Sequence, residues 1–173
     1  MRKSLAGIVL LASAALAQVS ASLPAYTVGV GGLWNRGAQY RYNLDISFAV
    51  HIPNTPLLWW SDISSPLHKG TNGQPVQSTI LTGVAYVPVC STESNGWTIC
   101  MVLIGEGGFS IAQAQVASLT SVSPALNGSI GVALRHGSIF VMPFVKVLAT
   151  TATPNTPFSS VVQPGLHLGY SFK

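Results

Sequence analysis

Titratable side chains in this sequence fall at positions that alternate with apolar residues, which is the spacing of one face of a β-strand. Those that we assign to an enclosed face are Arg41, Asp45, His51, Arg135, Lys146 and His167. A charge in a narrow interior needs a partner or bound water, so we predict an internal network of ion pairs and hydrogen bonds. A path for protons or anions is the alternative, and it is disfavoured because side chains nearly fill a small barrel.

Nucleophilic catalysis requires a serine within hydrogen-bond distance of a histidine. Ser47 and His51 share a strand face, but four residues of extended chain separate them by roughly 13 Å. His167 could meet another serine across a barrel, yet no set of serine, histidine and acid stands out by its spacing. We therefore name no catalytic residue and expect no cofactor and no metal. A lipid acyl hydrolase or transferase stays an alternative function.

Two further residue patterns concern the interior of the fold. Cys90 and Cys100 flank the stretch STESNGWTI, and an even cysteine count in an exported chain favours a disulfide that restrains this hairpin. Several apolar residues leave room for an acyl-chain pocket, although core packing is the simpler interpretation; they are Val87, Met101, Leu103, Phe140, Met142 and Phe144.

The elements that position these residues are predicted to be β-strands throughout. In YRYNLDISFAVHI every second residue from Tyr40 to Val50 is apolar or aromatic, and GSIGVALRHG and GLHLGYSFK repeat the alternation. Segments of strand length are 26–34, 42–52, 77–89, 97–104, 107–117, 127–135, 138–149 and 161–172. The sequence therefore predicts an all-β chain of eight strands.

The links between these segments alternate between short and long from the third strand onward. Tight turns are predicted at GEGG, residues 105–108, and at RHGS, residues 135–138. Residues 53–76 break the pattern, because they form the longest link where a short turn is expected. Two interpretations stay open: an elaborated link, which we favour, or an additional element at LLWWSDI.

The N-terminus has the features of a secretory signal. Arg2 and Lys3 precede an apolar run that ends in small residues, so residues 1–21 are predicted to be a signal peptide cleaved after Ala17 or Ala21. Residues 22–173 then form one domain. Without the signal, six basic side chains face four acidic ones, a net charge of about +2, which is too small to indicate nucleic-acid binding.

Composition decides which face of the sheet meets the solvent. Charged residues make up 7% of the chain, against roughly 25% in soluble domains. A soluble sandwich needs charged side chains on its outer face, so we predict instead that the apolar face contacts lipid and that the sheet closes on itself. The aromatic residues predicted to lie at the two membrane interfaces are Tyr26, Trp34, Tyr40, Trp59, Trp60, Trp97, Tyr170 and Phe172.

The chain resembles the small eight-stranded outer-membrane barrels of bacteria, of the OmpA and OmpX type. The features that carry this resemblance are the signal, the alternating strands and the closing GLHLGYSFK. The resemblance implies a closed antiparallel up-and-down transmembrane barrel, monomeric and surrounded by outer-membrane lipid. It also implies that the last strand is the signal for the barrel-assembly machinery, although Lys173 follows the terminal aromatic. The expected role is structural or surface interaction, with a secreted soluble barrel that binds a small hydrophobic ligand as a further alternative.

Overall fold

The computed structural model describes residues 23–34, 42–67, 76–113, 120–151 and 159–172. Almost all of these residues are in extended strands. The strands are β1 (Tyr26–Trp34), β2 (Tyr42–His51), β3 (Leu57–Pro66), β4 (Val76–Thr92), β5 (Trp97–Gln113), β6 (Thr120–His136), β7 (Ile139–Thr150) and β8 (Ser159–Phe172). In the part of the chain described, no helix is long and apolar enough to cross a membrane. The predicted signal peptide lies outside the described residues.

The eight strands form a closed antiparallel barrel in sequence order. Each strand pairs with the next, and β1 pairs with β8 from Tyr26 opposite Phe172 to Leu33 opposite Gly165. The predicted fold class, an all-β closed up-and-down barrel of eight strands, is therefore confirmed. Because β1 and β8 pair with each other, the described sheet has no unpaired edge strand.

Short and long links lie at opposite ends of the barrel. The end that carries the links 52–56, 93–96 and 137–138, together with the start of β1 and the end of β8, is called the short-turn rim. The links 35–41, 67–75, 114–119 and 151–158 join strands at the other end, the long-link rim. All the described residues with positive φ fall in the short turns, namely Asn54, Gly96 and Gly137.

Two predicted elements were wrong. One real strand, β5, was divided into two, and another, β3, was treated as part of a link, so the predicted number of strands was still eight. GEGG is not a turn: Gly105 and Gly107 lie inside β5 opposite Gly128 and Leu126 of β6, and neither has a positive φ. LLWWSDI is not part of a link: it forms most of β3. The favoured interpretation of residues 53–76 as an elaborated link was therefore wrong, and the alternative, an additional element at LLWWSDI, is confirmed. With this strand included, short and long links alternate regularly.

Two of the prolines within strands, Pro88 and Pro143, lie beside interruptions of the ladder. The register of β4 against β5 shifts between Tyr86 and Val89, so that Pro88 lies in a bulge. Pro143 faces outward on β7, and the pairing of β7 with β6 is interrupted beside it, between Phe144 and Val141. Prolines in sheets are usually found at such interruptions, because proline has no backbone N–H to donate to the ladder.

The interior is divided along the barrel axis. Apolar side chains fill the half next to the short-turn rim, including Leu58, Trp60, Val102, Phe140 and Met142. Charged and amide side chains fill the middle, and hydroxyl groups are frequent towards the long-link rim, where Ser64 bonds Thr79 at 2.6 Å. Strand alternation places the charged residues of the middle layer inside the barrel.

Candidate functional site

The middle of the barrel holds a cluster of buried charged side chains. Lys146 on β7 donates from Nζ to Oδ2 of Asp62 on β3 at 2.7 Å, across the full width of the interior. His167 on β8 contacts Oδ2 of Asp45 on β2 through Nε2, also at 2.7 Å. All four side chains are buried. The structure therefore brings together three of the predicted interior residues and adds Asp62, which the sequence analysis did not include.

Glu106 is a second acid that the sequence analysis missed. It points inward from β5 and accepts a hydrogen bond from the Nδ2 group of Asn127 on β6. One oxygen each of Asp45, Asp62 and Glu106 is buried without a hydrogen-bond partner among the described residues. Three carboxyl groups thus share one lysine and one histidine. No group of side chains in the described ranges is arranged to hold a metal ion.

The position of His167 depends on a glycine of the intervening strand. Asp45, Gly31 and His167 form one row across β2, β1 and β8, so the imidazole must pass over β1 to reach the carboxylate. A Cβ atom on Gly31 would overlap the His167 ring and the carbonyl oxygen of Leu166. The absence of a side chain at Gly31 is therefore what allows His167 to contact Asp45.

This geometry leads to a prediction with a matched control. We expect Gly31→Ala to displace the imidazole, to leave Asp45 without its partner, and to lower the free energy of unfolding by about 1–3 kcal/mol. Gly32→Ala is the control, because a Cβ atom there meets nothing within 4 Å. Urea unfolding followed by tryptophan fluorescence compares the two variants. Equal midpoints for both would contradict this account.

His167 also contacts a serine. The interior therefore contains a serine, a histidine and an acid in which the histidine contacts both of the other side chains. Ser47 Oγ lies 3.4 Å from Nδ1 of His167, and Asp45 holds the other ring nitrogen. Within the described part of the chain, Trp60 stacks on the imidazole and Phe144 packs against it at 4.5 Å. Ser47 is 2% exposed and is not among the residues that line the interior cavity. The arrangement is that of a packed interior.

The other predicted interior residues lie outside this cluster. His51 is at the end of β2, and its Nε2 group donates to the carbonyl oxygen of Thr55 at 2.8 Å in the following turn. Arg135 faces inward next to the short-turn rim, among apolar side chains. Arg41 lies outside the described residues. Strand parity fixes the face of the barrel on which a residue lies but not its height along the barrel axis, and His51 and Arg135 lie nearer the short-turn rim than the charged cluster.

The outer face of the barrel is apolar along every strand. Ile46, Ile63, Leu126, Val147 and Leu168 are each about half exposed. The described acidic and basic residues point inward, apart from Glu93 in a short turn. A soluble barrel with this outer face would present a continuous apolar surface to water.

Most of the aromatic residues assigned to the membrane interfaces lie on the outer face near a rim. Those with exposed side chains are Tyr26, Trp34, Trp59, Trp97, Tyr170 and Phe172. The assignment of Trp60 to a membrane interface is corrected, because its side chain points inward and is 5% exposed. Its parity was misassigned because the segment was treated as a link, in which Trp59 and Trp60 need not face opposite ways. Tyr40 lies outside the described residues.

A disulfide joins Cys90 to Cys100 on neighbouring strands β4 and β5. The two residues are directly opposite each other in the ladder, above the short turn at 93–96. Cys100 faces the apolar half of the interior. The bridge therefore restrains one hairpin at the short-turn rim and is remote from the charged cluster.

Comparison with solved structures identifies the architecture. Neisserial surface protein A superposes with a TM-score of 0.56 at 8% identity, covering 85% of this chain and 94% of that one. The chain has the fold of the small eight-stranded outer-membrane barrels. The attachment invasion locus protein Ail of Yersinia pestis gives a TM-score of 0.46 at 9% identity, covering 87% of this chain and 100% of that one. No family model matches the sequence, and no curated protein matches it.

Proposed function

We propose that this protein is a monomeric barrel of the bacterial outer membrane, closed in its interior, whose longer links face outward and make surface contacts. The observation that carries the proposal is the inverted distribution of side chains. Large apolar groups cover the outside, while Asp45, Asp62, Glu106 and Lys146 are buried inside. A lipid surrounding makes this arrangement favourable, since hydrocarbon accepts the apolar face and excludes charge.

Strand length and aromatic positions support insertion into a bilayer. The strands contain between 9 and 17 residues, and a tilted strand needs about 9–11 residues to cross the hydrocarbon. Tyr26, Trp59, Trp97 and Phe172 lie towards the short-turn rim, and Trp34 lies at the long-link rim. Amphipathic rings at two levels suit the two interfaces of a membrane.

The connections support one orientation in the membrane. Bacterial barrels have short periplasmic turns and longer extracellular links, so the short-turn rim is assigned to the periplasm. The last strand then ends in the periplasm with Tyr170 and Phe172 on its outer face, a position at which the barrel-assembly machinery can reach it. Closure of β1 on β8 leaves no strand edge for a second copy, which supports a monomer.

A structural or surface-interaction role fits this interior better than transport. Side chains such as Trp60, Phe144, Lys146 and His167 occupy the middle of the barrel, where an open pathway would have to pass. The fold itself hosts several activities, so the longer links are the part of the molecule that we assign to contact with partners. Export by the N-terminal signal belongs to the same proposal.

The orientation predicts which links antibodies can reach on living cells. We expect an epitope tag inserted between Asn72 and Gly73, in the link 67–75, to bind antibody on intact bacteria. The same tag between Ser94 and Asn95, in the short turn 93–96, is expected to bind only after the outer membrane is permeabilised. Flow cytometry of both strains gives the measurement.

Two controls keep this test decisive. Both tagged proteins must migrate faster before boiling than after it on a detergent gel, as closed barrels do, and both must sediment with the outer membrane. Labelling of the turn tag alone on intact cells contradicts the orientation. Recovery of the folded protein from the periplasm or medium without detergent overturns the membrane assignment and favours a soluble ligand-binding barrel.

A further inference from the structure

The charged layer in the middle of the barrel contains more acidic than basic side chains. The acids are Asp45, Asp62 and Glu106, and the bases are Lys146 and His167. Even when His167 is protonated, three ionised carboxyl groups would face two positive charges. All five side chains are more than nine-tenths buried, so bulk water compensates the excess negative charge poorly. This layer therefore needs a further source of neutralisation.

The strands around this layer supply no other charged group at the same level. Of the five groups, one comes from each of β2, β3, β5, β7 and β8. Over their described residues, β1 and β4 carry no ionisable side chain on the inner face. The inner face of β6 contributes the uncharged amide of Asn127 here, and its Arg135 lies nearer the short-turn rim.

Asp62 and Glu106 are close enough for a hydrogen bond between their carboxyl groups. One oxygen of each is already used, because Asp62 Oδ2 accepts from Lys146 and Glu106 Oε2 accepts from Asn127. The remaining oxygens, Oδ1 of Asp62 and Oε1 of Glu106, have no donor among the residues that the structure describes. An ionised carboxyl group offers only acceptors. A hydrogen bond between these two groups therefore requires a proton on one of them.

We propose that the interior of the barrel is a binding site for one proton, which is held between the carboxyl groups of Asp62 and Glu106. The proton comes from water and forms an O–H bond on Glu106, whose hydroxyl group donates to Asp62, while Asp62 keeps its contact with Lys146. Paired carboxyl groups share one proton because both cannot be ionised so near each other. With a protonated His167 the layer then has no net charge. This site does not depend on what the longer links bind.

The chain allows a direct measurement of this proton, because it contains only two glutamates, Glu93 and Glu106. Glu93 is exposed in a short turn and serves as the internal reference for an ionised side chain. With glutamate labelled by carbon-13 at the side-chain carboxyl, NMR of the full mature chain in detergent micelles gives one signal from each. At about pH 7, where an ordinary glutamate is ionised, we expect Glu106 at the chemical shift of a carboxylic acid. Two carboxylate signals overturn the proposal.

Three variants assign the signal and test the role of Asp62. Glu106→Gln is expected to remove the acid signal, whereas Glu93→Gln, the matched control, is expected to leave it in place. Asp62→Asn removes both the partner and the excess negative charge, so Glu106 is expected to ionise and its signal to move to the carboxylate position. An acid signal that persists unchanged in Asp62→Asn overturns the sharing of the proton.

The bound proton also predicts how stability depends on pH. An unfolded glutamate loses its proton near about pH 4.3, whereas the folded barrel keeps one at higher pH. Folding then takes up a proton, so the unfolding equilibrium constant is expected to rise with pH, by up to about tenfold per pH unit. In Glu106→Gln the amide replaces the protonated acid as donor to Asp62, and this part of the slope is expected to disappear. Any contribution of His167 is common to both proteins, so identical slopes contradict the proposal.

Folding and membrane insertion are checked separately from the proton site. Each variant is first required to migrate faster before boiling than after it. If Glu106→Gln does not fold, Glu93→Gln assigns the remaining signal to Glu106, and Asp62→Asn must still move that signal. A barrel that inserts in the outer membrane and shows two carboxylate signals overturns the proton site alone. A protein that stays soluble and shows the acid signal overturns the membrane assignment and supports the site.

Discussion

Replacing Lys146 with methionine is expected to lower the free energy of unfolding by about 3–5 kcal/mol, the usual cost of removing one partner of a buried ion pair. Methionine keeps much of the length and volume of the side chain, so packing changes little. The loss arises because Asp62 is left buried without its cation, beside Glu106 and Asp45. Urea unfolding in detergent micelles, followed by the mobility shift on unboiled gels, measures it.

A double variant separates charge from packing in this prediction. Asp62→Asn combined with Lys146→Met removes both members of the pair, and we expect most of the lost stability to return, because no uncompensated charge is created at that position. Asp62→Asn alone is expected to cost less than Lys146→Met, since Glu106 and Asp45 remain to balance the lysine. Additive losses in the double variant would show that the two side chains act independently.

A charged residue on the lipid-facing surface is expected to have the second largest effect. Leu168 faces outward at the middle of β8, where it pairs with Val30 of β1 and Val141 of β7. We expect Leu168→Arg to destabilise the barrel by about 2–4 kcal/mol in a bilayer, the cost of arginine at the membrane midplane. Reversible unfolding in liposomes with a denaturant titration gives this value.

A residue on the same outer face but nearer the rim of the barrel provides the matched control for this experiment. Phe172 is on the same outer face but pairs with Tyr26 at the short-turn rim, so Phe172→Arg is expected to cost about 0–1 kcal/mol. A gradient between the two positions is specific to a hydrocarbon surrounding. Similar small losses at both positions would indicate that Leu168 faces water, and the membrane assignment would then be wrong.

The fold could be predicted because it depends on a property that is periodic in the sequence. The alternation around Leu44, Ile46, Leu166 and Leu168 specifies strands with one apolar face. The scarcity of charge then indicates which way that face points. Neither inference needs the position of any one side chain along the barrel axis, and the closed eight-strand barrel follows from them.

The buried cluster could not be assembled in the same way. Asp62 was excluded because LLWWSDI was treated as a link, and Glu106 because the glycines around it resembled a turn. In the structure Gly105 and Gly107 lie within β5 on its outward parity, and Glu106 points inward between them. Contacts such as that of Asp62 with Lys146 depend on strand registers across the whole sheet, which local sequence patterns do not determine.

The ion pair between Asp62 and Lys146 connects strands on opposite sides of the barrel, 84 residues apart in the chain. Neither half of the sheet can satisfy these side chains by itself, so an incomplete barrel in a bilayer would hold unneutralised charges next to hydrocarbon. We therefore expect the interior to disfavour partly inserted intermediates. For the membrane insertion proposed above, we therefore expect burial of this ion pair and closure of the ring to occur together.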